Sequence, residues 1–272
     1  MSTPNSLASA APVNQSERII IIDSLRGIAL LGILMMNIPF FALPDPSAEN
    51  LTINHELGTI NQSVWYFINW FLEGSQRAIF SMLFGAGTIL FITRLEKRAE
   101  GSIPVEYFVR RQLWLLVFGL ANAFILLWAG DILFEYAIGG IIVFVFRKLK
   151  VKYLLVAAVV CLLLMTAREN RDFYKQKAVI TKGETVAKMD TTKVKWTDEQ
   201  KEQFGAMNGF KEKSDSANLK KEMEKNIREI RGSYAQLYEN ISNVSARLEF
   251  YFSYYQIWHV LLFMFIGMAF YK

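Results

Sequence analysis

Two carboxylates four residues apart, Asp131 and Glu135, sit beside Tyr136 in the stretch "WAGDILFEYAIGG". On a helix that spacing points both acids the same way, so they can do acid or base work if burial raises one of them. Asp131 can equally serve as a helix N-cap. Asp23 and Arg26 are three apart at one end of an apolar run, an ion-pair spacing, and an interfacial pair with Arg26 reaching toward water fits the same residues. Asn37 follows Arg26 by eleven residues, about 16 Å along a helix axis, which returns it to the same face. That face thus carries a cation at one end and an amide at the other. Arg77 precedes "AIFSMLFGAG" and lies four residues after Glu73, close enough to pair. The glycines of that stretch follow no strand and precede no lysine, so they do not make a phosphate loop; Ser81, Gly85 and Ala86 read as a small-residue packing face. His55 and His259 stand alone, far apart in the chain, and no Cys or carboxylate cluster with ligand spacing joins them, so no metal site is expected.

Most of these groups lie in apolar surroundings, where a charge at bilayer depth costs about 2.5–3.5 kcal/mol on insertion scales. The chain has 272 residues, 53% of them hydrophobic, with 21 Phe, too apolar for an ordinary soluble domain of this size. Its net charge of +5 does not point to nucleic acid, because the Lys and Arg flank apolar runs and mix with Asp and Glu. The one cysteine, Cys161, falls in "YLLVAAVVCLLLM" and reads as an apolar packing residue.

Runs long enough to cross a bilayer occur near 19–41, 65–92, 111–130, 132–147, 151–167 and 251–270. The second is interrupted by "EGSQR", which predicts a tilted helix or a half-helix followed by a span from Arg77 to Thr93. The third and fourth form a helical hairpin. The expected fold is therefore all-α: a polytopic helical membrane protein of about six transmembrane helices, with a long extramembrane helical insertion between the fifth and sixth. Residues 1–17 read as a disordered tail, 18–167 as a five-span bundle, 168–250 as an extracytoplasmic insertion and 251–272 as the sixth span. Segment 42–63 has acidic residues and no Lys or Arg, whereas 93–111 carries Arg94, Lys97, Arg98, Arg110 and Arg111. The positive-inside rule then puts the N-terminus in the cytoplasm and 42–63 outside. Within the insertion, Leu219, Met223, Ile227 and Ile230, then Tyr234 to Leu248, recur at steps of four and three, which predicts one long amphipathic helix running into the sixth span. Its stripe either packs on the rest of the insertion or pairs two copies of the chain as a coiled coil. Thr197 with Gln200 resembles a capping box for a shorter helix.

The stretches "RIIIIDSLRGIALLGILMMNI", "SQRAIFSMLFGAG", "WAGDILFEYAIGG" and "LLFMFIGMAFYK" resemble, in the same order, the signature segments of the YeiB-like bacterial inner-membrane proteins that carry domain of unknown function 418. The resemblance covers residues 18 to 147 and 250 to 272, and the basic residue usual before the family's "FS-LFG" stretch is Arg77 here. In its first helices that family is similar to transmembrane acyltransferases of the acyltransferase 3 and heparan-α-glucosaminide N-acetyltransferase type, which pass an acyl group from cytoplasmic acyl-CoA to an acceptor across the membrane. Many of those carry an arginine, ten residues, then a histidine on the first helix. Arg26 matches the arginine, but Asn37 stands at the histidine, and an amide cannot act as general base near neutral pH.

The resemblance implies a bacterial inner-membrane protein with acyl-CoA as donor substrate and no bound cofactor. Arg26 would hold the donor's phosphates and Asn37 its thioester, Asp131 and His55 would take the acceptor's proton, and Asp23, Arg77 and Glu135 would line the substrate site. A transporter or export component using the same polar residues, or a noncatalytic scaffold, is the alternative. Members of the family continue past "GMAFYK", so the chain is expected to be an N-terminal portion, with the lipid bilayer, a second copy or a C-terminal half as partners and no nucleic acid.

Overall fold

The computed structural model describes residues 19–43, 50–53, 55–99, 101–128, 130–189, 195–213 and 215–272, and every regular element among them is helical. The tail expected over 1–17 lies outside the described residues. In chain order the helices are α1 (Ile20–Ala42), α2 (Ile60–Phe67), α3 (Ser75–Arg98), α4 (Ile103–Phe124), α5 (Leu133–Val145), α6 (Val151–Ala187), α7 (Asp198–Lys213), α8 (Ser216–Ile230), α9 (Tyr234–Arg247) and α10 (Ser253–Tyr271). Short π-helical turns extend α2 (Ile68–Leu72) and join α9 to α10 (Leu248–Phe252).

Four helical stretches are long and apolar enough to cross a membrane, Ile20–Ala42, Ile60–Arg98, Val151–Ala187 and Tyr234–Tyr271, which marks the chain as a helical membrane protein. Leu133–Val145 is apolar but shorter. The interruption expected near "EGSQR" is present: Glu73 is extended, Gly74 has φ +75°, and α3 begins directly after it. A positive φ there suits glycine.

The chain divides into two compact units. The first holds residues up to Asn37, 67–163 and 233–272. Its centre is α10, of whose apolar window 53% is buried, against 11% in α1, so α10 is wrapped by protein while α1 keeps an apolar face outward. The α10 residues Val260, Met264 and Met268 pack into a core with Tyr136, Val143 and Ile89 from α5 and α3. Two glycines set the α3–α10 crossing. A Cβ on Gly85 would run into the backbone carbonyl of Met264, and one on Gly267 into that of Met82, so each helix rests its backbone on the other. The expected α4–α5 hairpin forms, and Gly119 on α4 allows the backbone of Phe134 to come close. Cys161 is buried in the apolar core, as its surroundings predict.

The second unit holds 38–66 and 164–232. In it α6 continues past the end of its apolar run to Ala187, and Gly183 admits the Met207 side chain from α7. Lys211 approaches Glu184 at 3.8 Å, and Trp196 packs on Phe204. The capping box predicted at Thr197 forms: its backbone N–H donates to Gln200 Oε1 at 2.9 Å, and the Gln200 N–H donates back to Thr197 Oγ1 at 3.3 Å.

One expectation is corrected. The stripe from Leu219 to Leu248 is not a single helix, because α8 stops at Ile230 and α9 starts at Tyr234. Gly232 breaks the run, and Ser233 opens α9 with its own capping box to Gln236. A competing helix start outweighs continuity of the apolar repeat there. Past that break, α9 does lead through the π turn straight into α10, as predicted.

Candidate functional site

The polar residues of the first unit gather in two places along α3. At one, Arg77 from α3 donates through Nη1 to Gln256 Oε1 of α10 at 2.8 Å and through Nη2 to Glu135 Oε2 of α5. The side chains of Arg77 and Glu135 are 23% and 7% exposed, so this ion pair is well removed from water. Beneath it, Ser81 and Tyr136 bring their hydroxyls within 2.6 Å, and Ser81 also donates to the Arg77 carbonyl at 2.8 Å. Phe80 and Phe84 pack on the Tyr136 ring and close the cluster on its apolar side.

Asp131 stands at the rim of this cluster. It lies one residue before Ile132, the N-cap of α5, with its carboxylate on the N–H groups that open that helix. The N–H groups of Leu133 and Ile132 and the Asn122 amide favour its charged form, but burial outweighs them and pushes its carboxyl above the ordinary range. Its Oδ2 is buried and has no partner among the described residues.

Glu249 belongs to the same neighbourhood. It lies on the π turn before α10, is 2% exposed, and has no partner among the described residues for Oε1. Its carboxylate is within electrostatic range of Asp131 and Glu135. Glu249, Ser253 and Gln256 follow the helical repeat, so the start of α10 presents a carboxylate, a hydroxyl and an amide along one face. His259, one turn on, feels the charge of Arg77 and packs its ring on Phe263.

The second place is at α1. Arg26 pairs with Asp23 at 3.3 Å, as its spacing predicts, and its guanidinium lies over Gly87, where a Cβ would stand 2.6 Å from Nη2. Arg111 on α4 is close enough to feel the Arg26 charge. Gly32, on the same helix, is covered by the Gln76 side chain. Asn37 turns one N–H back onto the Ile33 carbonyl at 2.8 Å, so part of its hydrogen-bonding capacity is used within its own helix. Between the two places, Gln112 of α4 is fully buried against Gly140, and neither its amide nitrogen nor its oxygen has a partner among the described residues.

Of the residues predicted to act, Arg77 and Glu135 meet directly, with Asp131 alongside. Arg26 and Asp23 meet each other at the other place. The Arg77–Glu73 pairing is replaced by Arg77–Glu135: Glu73 sits on the extended residue before the Gly74 turn and is lifted off the α3 face. His55, with φ +57°, belongs to the second compact unit. Ser81, expected as a packing residue, is part of the polar cluster, and Gln256, Glu249 and Gln112 are polar residues beyond those predicted. The Glu249, Ser253, Gln256 repeat was a usable signal, a polar stripe entering an otherwise apolar span. No group of three or more His, Cys, Asp or Glu residues able to hold a metal ion occurs among the described residues.

The chain is 36% identical over 165 residues, 59% of its length, to the uncharacterised protein YxaH of Bacillus subtilis (strain 168), of which the match covers 40%. It is 36% identical over 140 residues to an uncharacterised 39.9 kDa protein in the amylase 3′ region of Bacillus acidopullulyticus, covering 37% of that protein. It is 31% identical over 126 residues, 46% of its own length, to the uncharacterised protein YeiB of Escherichia coli (strain K12), covering 30% of it. No family model matches, and no solved structure matches. The chain thus spans 40% or less of the length of these curated relatives, and what it shares with them is similarity to the YeiB-like proteins.

Proposed function

We propose that the chain is a YeiB-like inner-membrane protein, N-terminus in the cytoplasm, that takes part in passing an acyl group from cytoplasmic acyl-CoA to an acceptor on the other side. The observation that carries this reading is the pair of polar places on α3. Arg77 and Gly87, which mark them, are ten residues apart, about 15 Å along the axis. One place offers an arginine suited to a phosphorylated donor, and the other a buried carboxylate suited to an acceptor. The acceptor nucleophile would attack the thioester carbonyl, its proton would pass to Glu135 or Asp131, and the C–S bond would break as that proton is returned to the leaving sulfur, releasing the thiol of coenzyme A. Asn37, with one amide N–H still free of its helix, would orient the thioester oxygen.

Equilibrium binding of labelled acetyl-CoA to the chain in lipid nanodiscs tests the donor side. Arg26→Ala is expected to weaken binding at least about tenfold, the loss of one charge-assisted contact, while Arg26→Lys keeps part of it. No saturable binding by the unaltered chain would overturn the reading.

Gln112 supports a second reading. An orphaned amide between the two places suits a polar path along which a solute is carried. Uptake of a solute into proteoliposomes without acyl-CoA, lost in Gln112→Leu, would favour transport over acyl transfer.

A further inference from the structure

The carboxylates around Arg77 outnumber what that arginine can neutralise. Arg77 is engaged by Glu135 and Gln256, and Glu249 and Asp131 add two further acidic groups within electrostatic range. Glu249 is 2% exposed and offers Oε1 with no donor among the described residues, and Asp131 offers a buried Oδ2 in the same state. Buried acceptors of this kind are costly unless something supplies donors. The charged and titratable groups facing them are Glu135 and Tyr136 from α5, Arg77 from α3 and His259 from α10. None of these supplies a donor to Glu249 Oε1 or Asp131 Oδ2.

We propose that Glu249 and Asp131, with Ser253 and Gln256 beside them, form a binding site for a primary ammonium group. Buried carboxylate oxygens without donors fit a cation with several N–H groups, and a primary ammonium carries three. The ammonium bridges Glu249 Oε1 and Asp131 Oδ2 and balances the excess negative charge. It reaches the site past Asp131 and Arg77, the partly exposed members of the cluster. Such a group can arrive on a soluble amine or on the headgroup of an aminophospholipid. The inference stands apart from any acyl donor.

Thermal unfolding of the chain in phosphatidylcholine nanodiscs, titrated with ethanolamine, tests it, with choline and sodium chloride at matched ionic strength as controls. Ethanolamine is expected to raise Tm in a saturable way, as a ligand of the folded state must, and choline, which has no N–H, to act at least about tenfold more weakly. A raised Tm in phosphatidylethanolamine nanodiscs with no further response to free ethanolamine identifies the lipid headgroup as the source. A saturable ethanolamine response that persists undiminished in phosphatidylethanolamine nanodiscs identifies a soluble amine. Glu249→Gln is expected to lose the response at least about tenfold, and Asp131→Asn is the second variant should Glu249→Gln fold poorly. The absence of any amine response in both lipids, an equal response to choline or sodium, or an undiminished response in both variants would overturn the proposal, whether or not acetyl-CoA binds.

Discussion

Arg77 and Glu135 form the contact on which the larger polar cluster depends, and their burial determines what substitution does. Removing one member strands the other charge away from water, whereas removing both leaves two neutral groups of similar shape. Arg77→Ala should therefore cost about 3–5 kcal/mol in denaturant unfolding of the reconstituted chain, while Arg77→Met with Glu135→Gln should recover most of that loss. Asp131 makes a different prediction. Burial raises its carboxyl in the folded chain above the ordinary 3.8, so the folded state holds this proton more tightly than the unfolded state. The contribution is fully favourable below pH 3.8 and is lost as pH rises through the raised value. Unfolding followed across that window should show a falling stability that Asp131→Asn flattens.

At the scale of elements, the α3–α10 crossing holds the site together: Arg77 on one helix meets Gln256 on the other, and Gly85 and Gly267 bring the two backbones into contact. Gly85→Val and Gly267→Val are each expected to cost about 1–3 kcal/mol or more by forcing the helices apart, and to weaken ethanolamine binding along with stability. Gly85→Ser tests the same contact with a smaller side chain. At the head of α9, Ser233→Ala removes a capping box and should cost about 1 kcal/mol, read as faster hydrogen exchange at the start of that helix.

The helices themselves were legible in the sequence, since hydropathy and length dictate which segments form them. So were the "EGSQR" break, announced by its glycine, and the Asp23–Arg26 pair, fixed by local spacing. Partners distant in sequence were not legible. Nothing in the residues near Arg77 reveals that Glu135, 58 positions away, will lie closer than Glu73. That choice is made by which glycines let α3, α5 and α10 approach, and it is a property of packing. The split of the stripe at Gly232 could have been read, because Ser233 and Gln236 carry the same capping signal that identified Thr197 and Gln200.

For the whole molecule, a partly exposed cation, Arg26, lies over α3 at Gly87, and the well-buried Arg77–Glu135 pair lies about 15 Å along the same helix. The chain spans 40% or less of its curated relatives, so the same substitutions belong in full-length YxaH or YeiB as well, at the aligned positions. The proposed transfer is sided: the donor is consumed on one face and the product appears on the other. The direct measurement is to seal the protein into proteoliposomes, supply labelled acetyl-CoA to the face bearing Arg26, and collect label on amine or hydroxyl acceptors held on the opposite face. The account predicts acylated acceptor on that opposite face, lost in both Arg26→Ala and Glu135→Gln; label that never leaves coenzyme A with the unaltered protein, or transfer unaffected by both variants, would contradict it.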